Sequence, residues 1–135
     1  MASCGLWLSR RRLVAVVVDD DGRAAPAISV ATDDEGRWAL LEHVDAVHGL
    51  DCEFVLPEDV LKADAVSRLA LDRGHDLWAA PQRLVEAIRR VAGLATGPPA
   101  RTATMVARLA IVPGLRGYLR HIDRRGCDRR QLPLL

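Results

Sequence analysis

Glu58 and Asp59 are two adjacent carboxylates that directly follow the run Cys52-Glu53-Phe54-Val55-Leu56-Pro57. Carboxylates at the end of a buried strand can hold divalent cations. Two such cations, ~4 Å apart, stabilise both the attacking and the leaving oxygen when a phosphodiester is cut. One pair of acids cannot neutralise and orient two ions, so that chemistry requires further carboxylates from elsewhere in the chain. The same two residues have a second use, because acids at the start of a helix are favourable to its dipole.

Other chemistries find less support. Asp19, Asp20 and Asp21 precede Gly22 and read as a solvated turn. The histidines, at 43, 48, 75 and 121, form no His-x-x-x-His pair enclosing a glutamate. Ser9 and Ser67 lack a Gly-x-Ser-x-Gly elbow, and the stretch 93–99 lacks the Gly-Lys-Ser/Thr of a phosphate-binding loop. Cys4, Cys52 and Cys127 are odd in number and far apart with no Cys-x-x-Cys pair, so neither a zinc site nor a disulfide framework is expected. A reduced, cytoplasmic setting follows as the expectation. The apolar run 13–18 is too short for a signal-peptide core or a membrane span, so no membrane partner is expected.

The 135 residues are the size of one domain, and 50% hydrophobic content suffices for a core. The cations are 18 Arg and a single Lys, a skew that suits phosphate recognition and also suits plain compositional bias. Charge is unevenly spread. Residues 19–59 carry twelve acids against Arg23 and Arg37, whereas residues 87–122 carry no acid at all. Such a division fits an anionic partner, and it equally fits internal complementarity between the two halves of the chain.

These charges need elements to position them. Runs at 5–8, 13–18 and 27–31 read as an antiparallel meander, with Asp-Gly at 21–22 turning the chain. Thr32 and Glu35 fit a capping box, and Leu40, Leu41, Val44 and Val47 form one helical stripe ended by Gly49. A short strand at 52–56 follows, continuous in apolar residues as a doubly covered strand would be. A helix is expected over 59–73, a strand over 76–80, and a helix from Pro81 to Gly93. Residues 93–100 read as a loop, 102–112 as a helix, and 115–122 as one more helix. The order is that of an α/β, ribonuclease-H-like (RNase H-like) domain: a mixed five-stranded sheet, made of an antiparallel meander plus two βα units, with helices packed on it and a helical C-terminal extension. The domain is expected over 1–122, with 123–135 a basic, poorly ordered tail. A smaller doubly wound sheet is the alternative.

Particular residues carry a resemblance. Gly5-Leu6-Trp7-Leu8-Ser9-Arg10, then residues 14–18 and Asp21-Gly22-Arg23, resemble the opening of the DEDD transposases, whose catalytic domain is RuvC-like. Gly74-His75-Asp76-Leu77 through Pro81 to Val85 resembles that family's Gly-His-x-Val-x-x-x-Asn-Pro-x-x-Val segment. Residues 103–110 stand where the family has its Thr-Asp-x-x-Asp-Ala helix. The resemblance implies a metal-dependent nuclease fold with four acidic ligands. It sets the first-strand aspartate on Trp7, the second acid on Glu58, and the late-helix aspartates on positions such as Thr102 and Met105.

On that basis, the expected function is a non-catalytic RNase H-like, transposase-derived module that contacts nucleic acid or a protein partner. A structural, homo-oligomerising protein and an active nuclease are the alternatives. Glu58 and Asp59 are catalytic, and Mg2+ is a cofactor, only in the last case. Arg10, Arg11, Arg12, Arg83, Arg116, Arg120, Arg124 and Arg125 are the candidate contacts to DNA or RNA. Ile111 to Tyr118 is reminiscent of a helix-hairpin-helix turn but lacks its Gly-hydrophobic-Gly core. Trp7 and Trp78 are expected on neighbouring central strands, with Trp7 beside the strand that ends at Glu58.

Overall fold

β1 (Ala2–Ser9) and β2 (Arg12–Val18) form an antiparallel hairpin whose two-residue turn places Arg10 at φ 53. The β2 run Leu-Val-Ala-Val-Val-Val is buried throughout, and its β-branched side chains suit a strand covered on both faces. β3 (Ile28–Ala31) adds antiparallel to β2. In this computed structural model, which describes residues 1–123, β4 (Cys52–Pro57) then pairs parallel with β1. β5 (Leu77–Ala80) pairs parallel with β4, and β6 (Arg120–Ile122) antiparallel with β5. The sheet has six strands in the order β3-β2-β1-β4-β5-β6.

Helices cover both faces. Cys4, Leu6, Phe54, Leu56, Leu77 and Ala79 point to one face. There they meet α1 (Asp34–His48), α2 (Glu58–Ala63) and α3 (Val66–Asp72) through Leu41, Val44, Leu61 and Val66. Val55, Ala80, Trp7 and Trp78 point to the other. That face is covered by α4 (Gln82–Val91), α5 (Pro99–Arg108) and the short α6 (Pro113–Arg116). α5 lies against β1 at backbone distance. A Cβ placed on Gly5 would stand 2.1 Å from the Ala103 carbonyl oxygen and 2.4 Å from the Ala107 nitrogen.

Several expectations need correction. The sheet has six strands rather than five, because residues 120–122 form β6 where a helix over 115–122 was expected; three residues are too few to show a period. The expected helix over 59–73 is broken at Asp64 and Ala65. The Asp64 carboxylate accepts from the Val66 amide at 2.9 Å and from Arg37 Nε at 2.9 Å, so it starts α3 and ties it to α1. The cap of α1 is Asp33, whose Oδ1 accepts from the Gly36 amide at 2.7 Å, while Thr32 donates to the Arg11 carbonyl instead. α5 begins at Pro99, inside the expected loop. Trp7 and Trp78 are not on neighbouring strands, since β4 lies between β1 and β5. The doubly wound alternative fails because β2 runs antiparallel to β1. The tail, with Arg124, Arg125 and Cys127, lies outside the described residues. No described helix is long and apolar enough to cross a membrane.

A polar cluster pins α1 to the α3–β5 connection. His75 is buried, with Nδ1 2.8 Å from the Cys52 carbonyl oxygen and Nε2 on Asp45 Oδ1; Arg73 Nη1 donates to Asp45 Oδ2 at 2.7 Å. Burial disfavours the Asp45 carboxylate, but the hydrogen bonds from Arg73 and His75 outweigh it and hold the carboxyl below its ordinary 3.8. A lowered carboxyl contributes stability that is fully present above 3.8 and is lost as pH falls through the folded value. Asp45→Asn is therefore expected to cost about 1 kcal/mol in urea unfolding at neutral pH. That gap should close below pH 3.8; a gap independent of pH would contradict the assignment.

Candidate functional site

β1, β4 and β5 are parallel, so their carboxyl ends lie at one end of the sheet. Chain leaves β1 and β4 in opposite directions there, which makes this end the topological switch of the fold. The Arg10-Arg11 turn follows β1, Glu58 and Asp59 follow β4, and Gln82 and Arg83 follow β5. Arg120 opens β6 opposite Ala79, at the same end. The topology thus gathers Arg10, Arg11, Arg12, Arg83, Arg120, Glu58 and Asp59, which lie far apart in sequence. A groove of about 610 Å3 runs beside the hairpin, lined by Arg10, Arg12, Ser29 and the 95–100 segment.

Trp7 stands two residues beyond the Gly5–Val55 register pair, level with Pro57 and next to Glu58. The expected adjacency of Trp7 to the Glu58 strand is therefore what the register gives. Glu58 begins α2, and its Oε1 accepts from Arg120 Nη2 at 3.0 Å; Asp59 is exposed in the same first turn. On α5, Thr102 is buried and Met105 half-buried. Among the described residues no three of His, Cys, Asp or Glu stand together as a metal-holding group. The residues present thus do not fit a two-metal centre: Trp7, Thr102 and Met105 offer no carboxylate, and the Glu58 carboxylate carries a guanidinium.

Two cation–ring stacks occupy this face instead. The Arg89 guanidinium carbon is 4.5 Å from the Trp7 ring centroid, and that of Arg116 is 5.0 Å from the Trp78 centroid. Arg116 is also held by Glu53, with Nη1 at 2.7 Å from Oε1 and Nη2 at 3.1 Å from Oε2. Those hydrogen bonds raise the Arg116 guanidinium above its ordinary value. Glu53 is only 4% exposed and takes a further bond from Ser3 Oγ at 3.1 Å. The thiols on the far face are inert, since burial pushes Cys52 up to about 12 and lifts Cys4 well above its usual value.

The candidate arginines therefore divide. Arg10, Arg11 and Arg83 are exposed, and none has a carboxylate partner among the described residues. Arg12 donates to the Ser29 hydroxyl and carbonyl at 3.1 and 2.8 Å. Arg116 and Arg120 are committed to Glu53 and Glu58, and Arg124 and Arg125 lie outside the described residues. Sequence reasoning missed Arg89, Glu53 and Ser3. A signal existed for Glu53: it is the one charge inside an apolar strand run, and such a charge must find a partner.

A meander of three strands continued by two parallel strands, with helices on both faces, defines an RNase H-like fold, here carrying a sixth, antiparallel edge strand. Two solved structures of RuvC from Thermus thermophilus share it. The one in complex with a Holliday junction substrate has a TM-score of 0.64 at 15% identity, over 90% of this chain and 99% of that one. The other has a TM-score of 0.63 at 16% identity, over 90% and 100%. At such identity the likeness establishes the fold. No family model and no curated protein matches the sequence.

Proposed function

We propose that residues 1–122 form one nucleic-acid-binding module that holds the phosphate backbone at the carboxyl end of its parallel strands and does not cleave it. The observation that carries this reading is the exposure there of Arg10, Arg11 and Arg83 without carboxylate partners. The acid-free stretch 87–122 extends the same basic surface over α4 and α5 through exposed Arg90, Arg101 and Arg108. Arginine forks suit phosphate oxygens, and a surface of one sign concentrates a polyanion. The likeness to a RuvC structure that contains a Holliday junction supports DNA as the polyanion. The absence of cleavage follows from Trp7, Thr102 and Met105, which stand where the resemblance to DEDD transposases sets carboxylates. That same resemblance supports a transposase-derived origin.

The test is gel retardation of DNA and RNA duplexes across a salt series, with cleavage assayed in Mg2+ and Mn2+. Binding is expected with a dissociation constant of roughly 10⁻⁶ to 10⁻⁴ M at physiological salt, weakening steeply as salt rises. No scission is expected with either ion. A protein that retards nothing at low salt is not this module, and scission abolished by Glu58→Gln would restore the nuclease alternative.

A second reading rests on the segregation of charge along the chain, with twelve acids in residues 19–59 and none in residues 87–122. Opposed charges of that kind suit head-to-tail self-association of copies. Light scattering at low salt distinguishes it, since a monomer at high concentration removes it.

A further inference from the structure

We propose that Arg89, laid on the ring of Trp7, is a phosphate-binding post, a fixed cation held at the first-strand position where an acid would otherwise ligate metal. The inference deepens the nucleic-acid reading above and rests on it for the identity of the ligand.

Its starting point is an imbalance among the arginines of this face. Arg116 and Arg120 are neutralised by Glu53 and Glu58. Arg108 donates to the Gly22 carbonyl at 3.0 and 3.1 Å. Arg89 is half-buried and has neither a carboxylate nor a hydrogen-bond acceptor among the described residues. Its Nε is buried with no partner among the described residues. The nearest acid in sequence, Glu86, accepts from Gln82 Nε2 at 3.3 Å.

Such an arrangement is under-satisfied. A stacked ring offsets only part of the cost of removing a guanidinium from water. The buried, unpaired Nε donor adds to that cost. The carboxyl end of α4 favours a cation in its last turn, where Arg89 and Arg90 lie, but it supplies no acceptor for Nε. An anion at the terminal nitrogens supplies the missing countercharge. Stacking uses the face of the guanidinium, and Nη1 and Nη2, which are not among the buried unpartnered atoms, are the donors that can grip a phosphate through two parallel hydrogen bonds.

The surroundings favour phosphate. Residues 87–122 contribute no acid, exposed Arg90 and Arg101 add to the field, and Glu58, the acid beside Trp7, is paired with Arg120. Trp7, which carries Arg89, adjoins the end of the sheet that gathers Arg10, Arg11 and Arg83.

The experiment uses the whole chain in a Trp38→Phe background, because Trp38 is exposed and away from this face. Wild type, Arg89→Gln and Arg89→Lys are titrated with inorganic pyrophosphate and with a short single-stranded oligonucleotide, and Trp fluorescence is followed. Thermal melts check that each variant folds. Wild type is expected to give a saturable change with both probes. Arg89→Gln should bind about tenfold more weakly and reduce the slope of log K against log salt by about one. Arg89→Lys keeps the charge without the fork, so an intermediate affinity is expected; it keeps the test available if the Gln variant does not fold. Arg89→Gln binding with wild-type affinity and slope overturns the post while leaving the nucleic-acid reading intact. Pyrophosphate bound through Arg89 by a protein that retards no nucleic acid supports the post and overturns that reading.

Discussion

Replacing Gly5 with alanine is expected to destabilise the domain by roughly 3 kcal/mol, the upper range for overpacking a core. The added methyl would stand 2.1 Å from the Ala103 carbonyl oxygen and 2.9 Å from the Ala107 Cα. Both are helix backbone, so no rotamer change relieves the clash. α5 must lift from β1, and that opens the packing of Ala103, Val106 and Ala107 against Val14, Val16 and Val55. A loss of that size corresponds to a fall in melting temperature on the order of 10 °C. Gly114→Ala is the control, because nothing lies within 4 Å of a Cβ at that position. A Gly5→Ala protein that melts with wild type would mean that α5 does not lie where it is described. The effect reaches function, since α5 and α4 together cover the face that carries Trp7 and Trp78.

What could be read in advance follows from the range of the physics. The β1–β2 hairpin and β4 announce themselves through continuous apolar runs, and α1 through a helical stripe. Glu58 could be placed at the end of β4 because strand and helix are local. The cap of α1 falls one residue later than the pattern suggests, because Thr32 and Asp33 are both competent caps and the Arg11 carbonyl decides by engaging Thr32. The break before α3 was hidden for a similar reason: Asp64 looks like any exposed helix acid until Arg37, from α1, fixes it. β6 was missed because three residues gain strand character only from pairing with β5. The site was legible only in outline. Glu53 and Arg116 are 63 residues apart, and no local pattern couples them. The same holds for Arg89 and Trp7, which the sheet and α4 bring together. Of the candidate arginines, sequence could number the charges but could not tell exposed Arg10, Arg11 and Arg83 from internally committed Arg116 and Arg120.

Removing the Arg116 charge should strand a buried carboxylate. Arg116→Met is expected to cost about 3 kcal/mol, the scale for breaking a buried ion pair by deleting one partner. The asymmetry lies in burial: Glu53 is 5% exposed at its side chain and Arg116 is 41%. Without the guanidinium, the carboxylate keeps only the Ser3 hydroxyl among its described partners, on a strand enclosed by both helical layers. Deleting the acid instead leaves a guanidinium that still reaches water, the Ala110 carbonyl at 2.9 Å and the Trp78 ring. Glu53→Gln should therefore cost less than Arg116→Met. The double variant Glu53→Leu/Arg116→Met replaces the pair with apolar groups of similar reach. It should recover most of the lost stability, because the penalty comes from a stranded charge rather than from lost attraction. Urea unfolding of the three variants forms the test. Equal losses for Arg116→Met and Glu53→Gln, or a double variant no more stable than Arg116→Met, would show that Glu53 is better hydrated than its burial on β4 implies.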